Sequence, residues 1–184
     1  MPVLLFACSA LAAVIAATAG YSLAPRGSDR NPVERGRYLV TAMGCNDCHT
    51  PWHMGPNGPA PDMTRMLSGH PATIALPAAA KGTPEWPVQV SATNTAWSGP
   101  WGTSFTANLT PDPETGLGSW TADEFIAALR TGRHQGRGRQ ILPPMPYPMI
   151  NKLDDADLKA VFAYLLSIPA IRNKVPEPLP PQAQ

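Results

Sequence analysis

Cys45-Asn46-Asp47-Cys48-His49 is the stretch with the most specific chemical signal in this 184-residue chain. Two thiols separated by two residues, followed directly by an imidazole, form the C-x-x-C-H pattern of covalent haem attachment. Each thiol can add to one vinyl group of the porphyrin, and the histidine can place a ring nitrogen under the iron. The motif therefore predicts one covalent haem c, bound through Cys45 and Cys48 and ligated by His49.

Three other uses of the two cysteines fit less well. A zinc site could combine them with His49 and His53, but no loop separates the cysteine pair from the histidine pair, as a tetrahedral site requires. A thioredoxin-like redox pair would normally follow a strand, whereas this pair follows a predicted helix. A structural disulfide would leave His49 without a role.

The second axial ligand must come from far along the chain, and a thioether sulfur suits an electron carrier because it raises the reduction potential. Met145 stands in Leu142-Pro-Pro-Met-Pro-Tyr-Pro-Met149, where flanking prolines stiffen the backbone. We therefore predict that Met145 is the second ligand of the iron. Less favoured candidates remain, together with an open coordination site: Met149, His134, His70 and His53.

Three helices are predicted from caps and apolar spacing. The first runs from about Pro32 to Met43, with Asn31 as its N-cap. The second follows a Thr121–Glu124 capping box and stops near Gly132. The third begins at Asp154 or Asp155 and ends before Pro169. Between Thr50 and about Ser119 no helical period persists, which predicts a long irregular excursion.

Composition narrows the class of protein. The formal net charge is +1, and no Lys/Arg-rich run is present, so nucleic acid is not an expected partner. Pro and Gly number 23 and 15, and they gather in the excursion and after Pro176. Long Pro/Gly-rich loops around a few helices are therefore expected.

The N-terminal stretch predicts export. Residues 3–19 are uncharged and mostly small and apolar, as in a secretory signal with a small-residue cleavage site. Cleavage is favoured over a retained membrane anchor, because an anchor would leave the following arginines on the exported side. The expected location is the periplasm, with the protein either soluble or anchored to the outer face of the inner membrane.

The chain resembles the class I cytochromes c, in which a helix before the haem motif crosses the C-terminal helix. Gly36 with Tyr38, and Phe162 with Tyr164, are similar to the residues of that crossing. There, glycine allows close approach and aromatic rings fill the gap. The resemblance implies an all-α class I cytochrome c fold, with three or more helices around one haem.

A narrower resemblance covers residues 105–173. Ala107-Asn-Leu-Thr-Pro-Asp112, Thr115-Gly-Leu-Gly-Ser-Trp120 and Pro144-Met-Pro-Tyr147 are similar to the cytochrome subunits of membrane-bound alcohol and gluconate dehydrogenases. The resemblance implies that Met145 is the axial ligand. Within the matched region, Asn108, Trp120 and Arg139 are polar or indole-bearing residues that can hydrogen-bond the haem propionates, the alternative being an ordinary turn, core or surface position. Those subunits typically carry three such haem domains, whereas this chain has one motif.

Four further tryptophans, in the excursion, have no counterpart in a minimal cytochrome. They can shield the haem, dock a partner or simply cover the core of the loop, the last being the favoured interpretation. They are Trp52, Trp86, Trp97 and Trp101.

The sequence as a whole predicts an electron carrier and not an enzyme. Its expected partners are redox proteins, a dehydrogenase or a terminal oxidase, with membrane association through residues 1–19 as an alternative to cleavage. The competing function is a haem enzyme or gas-binding sensor with a labile sixth ligand. The predicted organisation is a signal peptide or anchor at 1–19, a linker at 20–30, a cytochrome c domain at 31–175 and a Pro-rich tail at 176–184.

Overall fold

The computed structural model describes residues 31–181. The three predicted helices are confirmed, as α1 (Pro32–Ala42), α3 (Ala122–Thr131) and α5 (Asp155–Ser167). Two short α-helices lie between them, α2 (Cys45–His49) and α4 (Tyr147–Ile150), and Met63–Arg65 and His134–Gly136 form single 3₁₀ turns. The predicted leader at 1–19 and linker at 20–30 lie outside the described residues.

Each long helix begins where its sequence satisfies the free amides of the first turn. The Asn31 side chain accepts from the Val33 amide before α1. Thr121 and Glu124 form the complete capping box of α3. Asp154 accepts from the Asp157 amide at the start of α5. These local bonds explain why the helix starts are readable from sequence.

Helices α1 and α5 cross at Gly36. A Cβ atom at this position would overlap the Ala160 carbonyl oxygen and the Tyr164 side chain, so glycine allows the two backbones to meet. Arg35 fixes the crossing angle with a two-pronged ion pair to Asp157, both N–O distances being 2.8 Å.

The apolar core lies where α1, α3 and α5 converge. Phe125 of α3 and Phe162 of α5 stack at 5.2 Å between ring centroids. Around them the core is formed by aliphatic side chains from all three helices and from the 67–117 region: Leu39, Val40, Leu67, Leu117, Leu129, Leu158, Val161, Leu165 and Ile168.

The all-α expectation is wrong, because the excursion contains two small antiparallel sheets. The first pairs β1 (Trp52–Gly55) with β2 (Gly58–Pro61). The second has the order β3-β4-β5, made of Gln89–Val90, Ala96–Gly99 and Gly102–Phe105. The strands have two to four residues. They lie at or below the lower end of the range of about four to eight residues over which a period-2 pattern is detected.

Tight turns close both hairpins. Gly58 and Gly102 begin the second strand of each hairpin with φ angles of 106° and 98°. Residues that carry a side chain rarely adopt such positive φ angles. The β4–β5 register places Trp97 opposite Ser104 and Ala96 opposite Phe105.

The C-terminal segment returns to the second sheet. Leu179 and Thr103 exchange both backbone hydrogen bonds, each at 2.9 Å, and Glu177 lies 3.7 Å from Arg139. The domain limits at 31–175 and 176–184 stay predictions. Among the helices of residues 31–181, none has the length and apolar character needed to span a membrane.

Candidate functional site

His49 is held in a defined orientation at the end of α2. Its ring is buried, and Nδ1 donates a hydrogen bond to the Ala107 carbonyl oxygen at 2.8 Å. Burial lowers the pKa of His49, which favours the neutral imidazole. With Nδ1 carrying the proton, Nε2 keeps its lone pair for a metal ion.

Cys45 and Cys48 are free thiols, both partly buried. Burial raises the pKa of Cys45 to about 11, and burial together with the charge of Asp47 raises the pKa of Cys48. Both sulfurs are therefore protonated at neutral pH. Each thiol thus carries the S–H hydrogen that thioether formation with a haem vinyl group would require.

The excursion braces α2 from outside. Trp52 Nε1 and Asn94 Nδ2 both donate to the Asp47 carbonyl oxygen, at 3.1 and 2.6 Å. The Gly69 amide donates to the His49 carbonyl oxygen at 2.8 Å. The carbonyls at the end of a helix have no partner within the helix, and here distant segments supply one.

Met145 lies beside the same apolar core as Cys45. Both side chains are partly buried and pack against the core cluster, and the role of Met145 as a ligand stays a prediction. Met149, the less favoured alternative, is 73% exposed.

The other predicted ligands occupy different surroundings. His70 is fully buried, with Nδ1 2.8 Å from Thr95 Oγ1 and Nε2 3.2 Å from the Ile74 carbonyl oxygen. His134 lies edge-on to Trp120, with ring centroids 4.8 Å apart. His53 is exposed on β1.

The three residues predicted for the propionates are placed as follows. Asn108 is buried, and its amide donates to the Ile171 carbonyl at 2.8 Å and to Thr115 Oγ1 at 3.2 Å. Trp120 packs partly buried beside the core. Arg139 is exposed and pairs with Glu177. Their contact with haem stays a prediction.

Two residues of the β4–β5 hairpin are further candidates for the site: Trp97, one of the four tryptophans of the excursion, and Ser104, which has no signal in the sequence. The Trp97 indole N–H is buried and has no hydrogen-bond partner within residues 31–181. Ser104, opposite Trp97, donates from Oγ to the Pro143 carbonyl oxygen at 2.6 Å. A buried unpaired donor is costly, and a ligand carrying acceptor oxygens, such as a porphyrin with its propionates, would satisfy it. Ser104 belongs to no motif and is revealed only by the hairpin register, whereas Trp97 is one of the tryptophans already considered for haem shielding.

Comparison with known proteins identifies the family of this chain. The cytochrome c family model matches residues 33–169, which include Cys45, Cys48, His49 and Met145. The chain belongs to the cytochrome c family. Membership of this family supports electron transfer through covalently bound haem c.

Three relatives of the chain are named as subunits of dehydrogenases. The chain is 32% identical over 144 residues to a nicotinate dehydrogenase subunit of Pseudomonas putida, covering 78% of this chain and 9% of the relative. It is 30% identical over 158 residues to the gluconate 2-dehydrogenase cytochrome c subunit of Pantoea cypripedii, covering 86% and 28%. It is 29% identical over 153 residues to the quinone alcohol dehydrogenase cytochrome c subunit of Gluconobacter oxydans, covering 82% and 25%. The chain thus spans less than a third of the length of each.

Proposed function

We propose that this chain is a mono-haem cytochrome c with His49 and Met145 as axial ligands, carrying single electrons between exported or membrane-bound redox proteins. The observation that carries the proposal is the orientation of His49. Its Nδ1 proton is committed to Ala107 and its ring is buried next to two free thiols, so Nε2 is the available ligand atom.

The residues present fit a covalently attached haem. Cys45 and Cys48 offer protonated thiols for thioether formation, and the apolar side chains beside Cys45 and Met145 offer a surface for the ring faces. The unpaired Trp97 indole N–H supplies a donor for a polar haem edge, alongside the candidates Asn108, Trp120 and Arg139. When bound, haem would supply a one-electron ferric/ferrous couple.

Met145 is the better of the two methionines in the Pro-rich segment. Its side chain packs against the core cluster, whereas Met149 extends into solvent. Prolines on both sides of Met145 fix their own φ angles and remove amide donors. The stiffened backbone then holds a weak sulfur ligand with little loss of conformational entropy.

Replacing Met145 with Ala in the haem-loaded protein tests this ligand set. We expect the weak red absorption band of thioether-ligated ferric haem to disappear, the potential to fall, and carbon monoxide to bind the reduced protein rapidly. Met149→Ala is the matched control and should change none of the three. Unchanged spectra and potential in Met145→Ala would exclude Met145 as a ligand. Rapid carbon monoxide binding by the unmodified protein would instead favour the enzyme or sensor alternative.

The proposal also covers the class of redox partner and the compartment in which the protein works. Relatives that are named as dehydrogenase subunits support a dehydrogenase as electron donor, with an acceptor such as a terminal oxidase, in the periplasm or at the outer face of the inner membrane. Pull-down of the tagged full chain from membranes, before and after a high-salt wash, would identify the partner and separate peripheral from anchored attachment.

A further inference from the structure

Ser104 makes a buried contact with the segment that carries Met145. Its side chain is 8% exposed, and Oγ donates to the Pro143 carbonyl oxygen at 2.6 Å. Pro143 stands two residues before Met145 and 39 residues after Ser104. The bond therefore ties the Met145 segment to a different part of the fold.

The Met145 segment has few backbone donors of its own. Pro143, Pro144 and Pro146 carry no N–H, and the Met145 amide bonds locally to the Leu142 carbonyl oxygen at 3.3 Å. Pro143 and Pro144 are themselves exposed, so apolar burial does little to fix them. A hydrogen bond from a buried hydroxyl is therefore a substantial part of what locates this backbone.

Ser104 is itself firmly placed. It pairs with Trp97 across the β4–β5 hairpin, and the Trp101 indole N–H points at Ser104 Oγ from 3.4 Å. That contact uses an oxygen lone pair. The hydroxyl proton has two carbonyl acceptors within reach, Trp97 at 3.4 Å and Pro143 at 2.6 Å, and the shorter distance favours Pro143. On the same strand, Thr103 is bonded through its backbone to Leu179. The hydroxyl thus projects from a braced strand.

We propose that Ser104 is a positioning residue for the axial methionine. By holding the Pro143 carbonyl, it opposes movement of the Met145 sulfur away from the iron and keeps external ligands out of the sixth coordination position. This inference rests on the proposed role of Met145. It also gives the β4–β5 hairpin, an unexpected part of the fold, a function at the site.

The test uses imidazole as a competing ligand for the ferric haem in the haem-loaded full chain. Removing one hydrogen bond of this kind shifts the equilibrium between held and released sulfur by about 2- to 10-fold. We therefore expect Ser104→Ala to bind imidazole about 2- to 10-fold more tightly. Its red thioether band should also disappear at lower pH than in the unmodified protein.

Two controls separate the hydroxyl from general damage. Thr103→Ala changes the neighbouring position, whose side chain points to the opposite face of the strand, and should leave imidazole binding unchanged. Ser104→Thr and Ser104→Val have nearly the same size and differ in the hydroxyl. Threonine should retain the behaviour of serine, and valine should match alanine.

The results distinguish this inference from the ligand assignment. If Met145→Ala abolishes the red band while Ser104→Ala and Ser104→Val bind imidazole like the unmodified protein, the positioning role is overturned and Met145 stands. If Met145→Ala leaves the band intact, both proposals are overturned. Equal tightening of imidazole binding in the Thr and Val variants would also overturn the role, since the hydroxyl would not matter.

Discussion

The two sides of the candidate haem site are held very differently. On the His49 side, the ring, its carbonyl and the preceding Asp47 carbonyl are each bonded to distant residues, at Ala107, Gly69 and Asn94. On the Met145 side, the Ile141 amide bonds to the Gly132 carbonyl oxygen before the segment, and within it a buried hydroxyl, that of Ser104, bonds to Pro143 among prolines that are exposed.

This difference matches the chemistry proposed for each side. The His49 side would present two thiols to the porphyrin and an imidazole to the iron at the same time. The Met145 side would hold only a neutral, weakly binding sulfur, whose retention would decide whether the iron is closed to external ligands. The densely bonded side should therefore govern folding and haem loading, and the sparsely bonded side should govern potential and ligand access.

The largest effect is expected from Gly69→Ala. Gly69 has a φ of 76°, and a Cβ atom would overlap the carbonyls of Thr106 and Ala107, the latter being the acceptor of His49. We expect the free energy of unfolding to fall by more than about 2 kcal/mol and the yield of haem-loaded protein to fall with it. Chemical denaturation and the absorbance ratio of haem to protein measure the two effects.

Gly58→Ala, at the start of β2, provides a matched control for Gly69→Ala. Gly58 also has a positive φ, 106°, but no heavy atom lies within 4 Å of a Cβ built there. Its cost should be backbone strain alone, about 1 kcal/mol, with normal haem loading. Equal losses in the two variants would mean that crowding at Ala107 is unimportant.

A smaller effect is expected from His70→Asn, which should change how the stability of the protein depends on pH. Burial lowers the pKa of His70 below its ordinary 6.5. The unfolded chain therefore binds the proton more readily, and the stability that the neutral ring contributes above pH 6.5 is lost as pH falls toward the lower folded pKa. His70→Asn should flatten the decrease in melting temperature between neutral pH and about pH 5.

His53→Asn, at an exposed position, is the control for this measurement of melting temperature against pH. His53→Asn should leave the pH dependence of the melting temperature as it is in the unmodified protein, because the substitution is at an exposed position and leaves the buried His70 in place. A His70→Asn profile as steep as that of His53→Asn would place the acid sensitivity elsewhere in the molecule.

Sequence predicts the parts of this fold that local bonds decide. The starts of α1, α3 and α5 are set by side chains within three residues of the helix, at Asn31, Thr121 and Asp154. The haem motif is equally local, with its five residues in one short helix. Short-range chemistry of this kind can be read without knowing the fold.

The sheets and their contacts cannot be predicted in the same way. Asn94 reaches Asp47 across 47 positions, and Ser104 reaches Pro143 across 39, so neither bond leaves a pattern in neighbouring residues. The strands are short, and the Pro/Gly-rich composition resembles irregular loop. The composition therefore predicts an irregular loop. The structure shows instead that residues of this excursion hydrogen-bond to both sides of the candidate site.

The smallest effect is expected from Glu177→Gln, at the edge of the Met145 side. Glu177 and Arg139 lie 3.7 Å apart, with side chains 87% and 48% exposed, and such pairs contribute less than about 1 kcal/mol. The nearby backbone pairing of Leu179 with Thr103 survives the substitution. Thermal unfolding at low and high salt should therefore differ little between Glu177→Gln and the unmodified protein. A loss that is clear at low salt and vanishes at high salt would show instead that charge, and not backbone pairing, holds the C-terminal segment against the hairpin that carries Ser104.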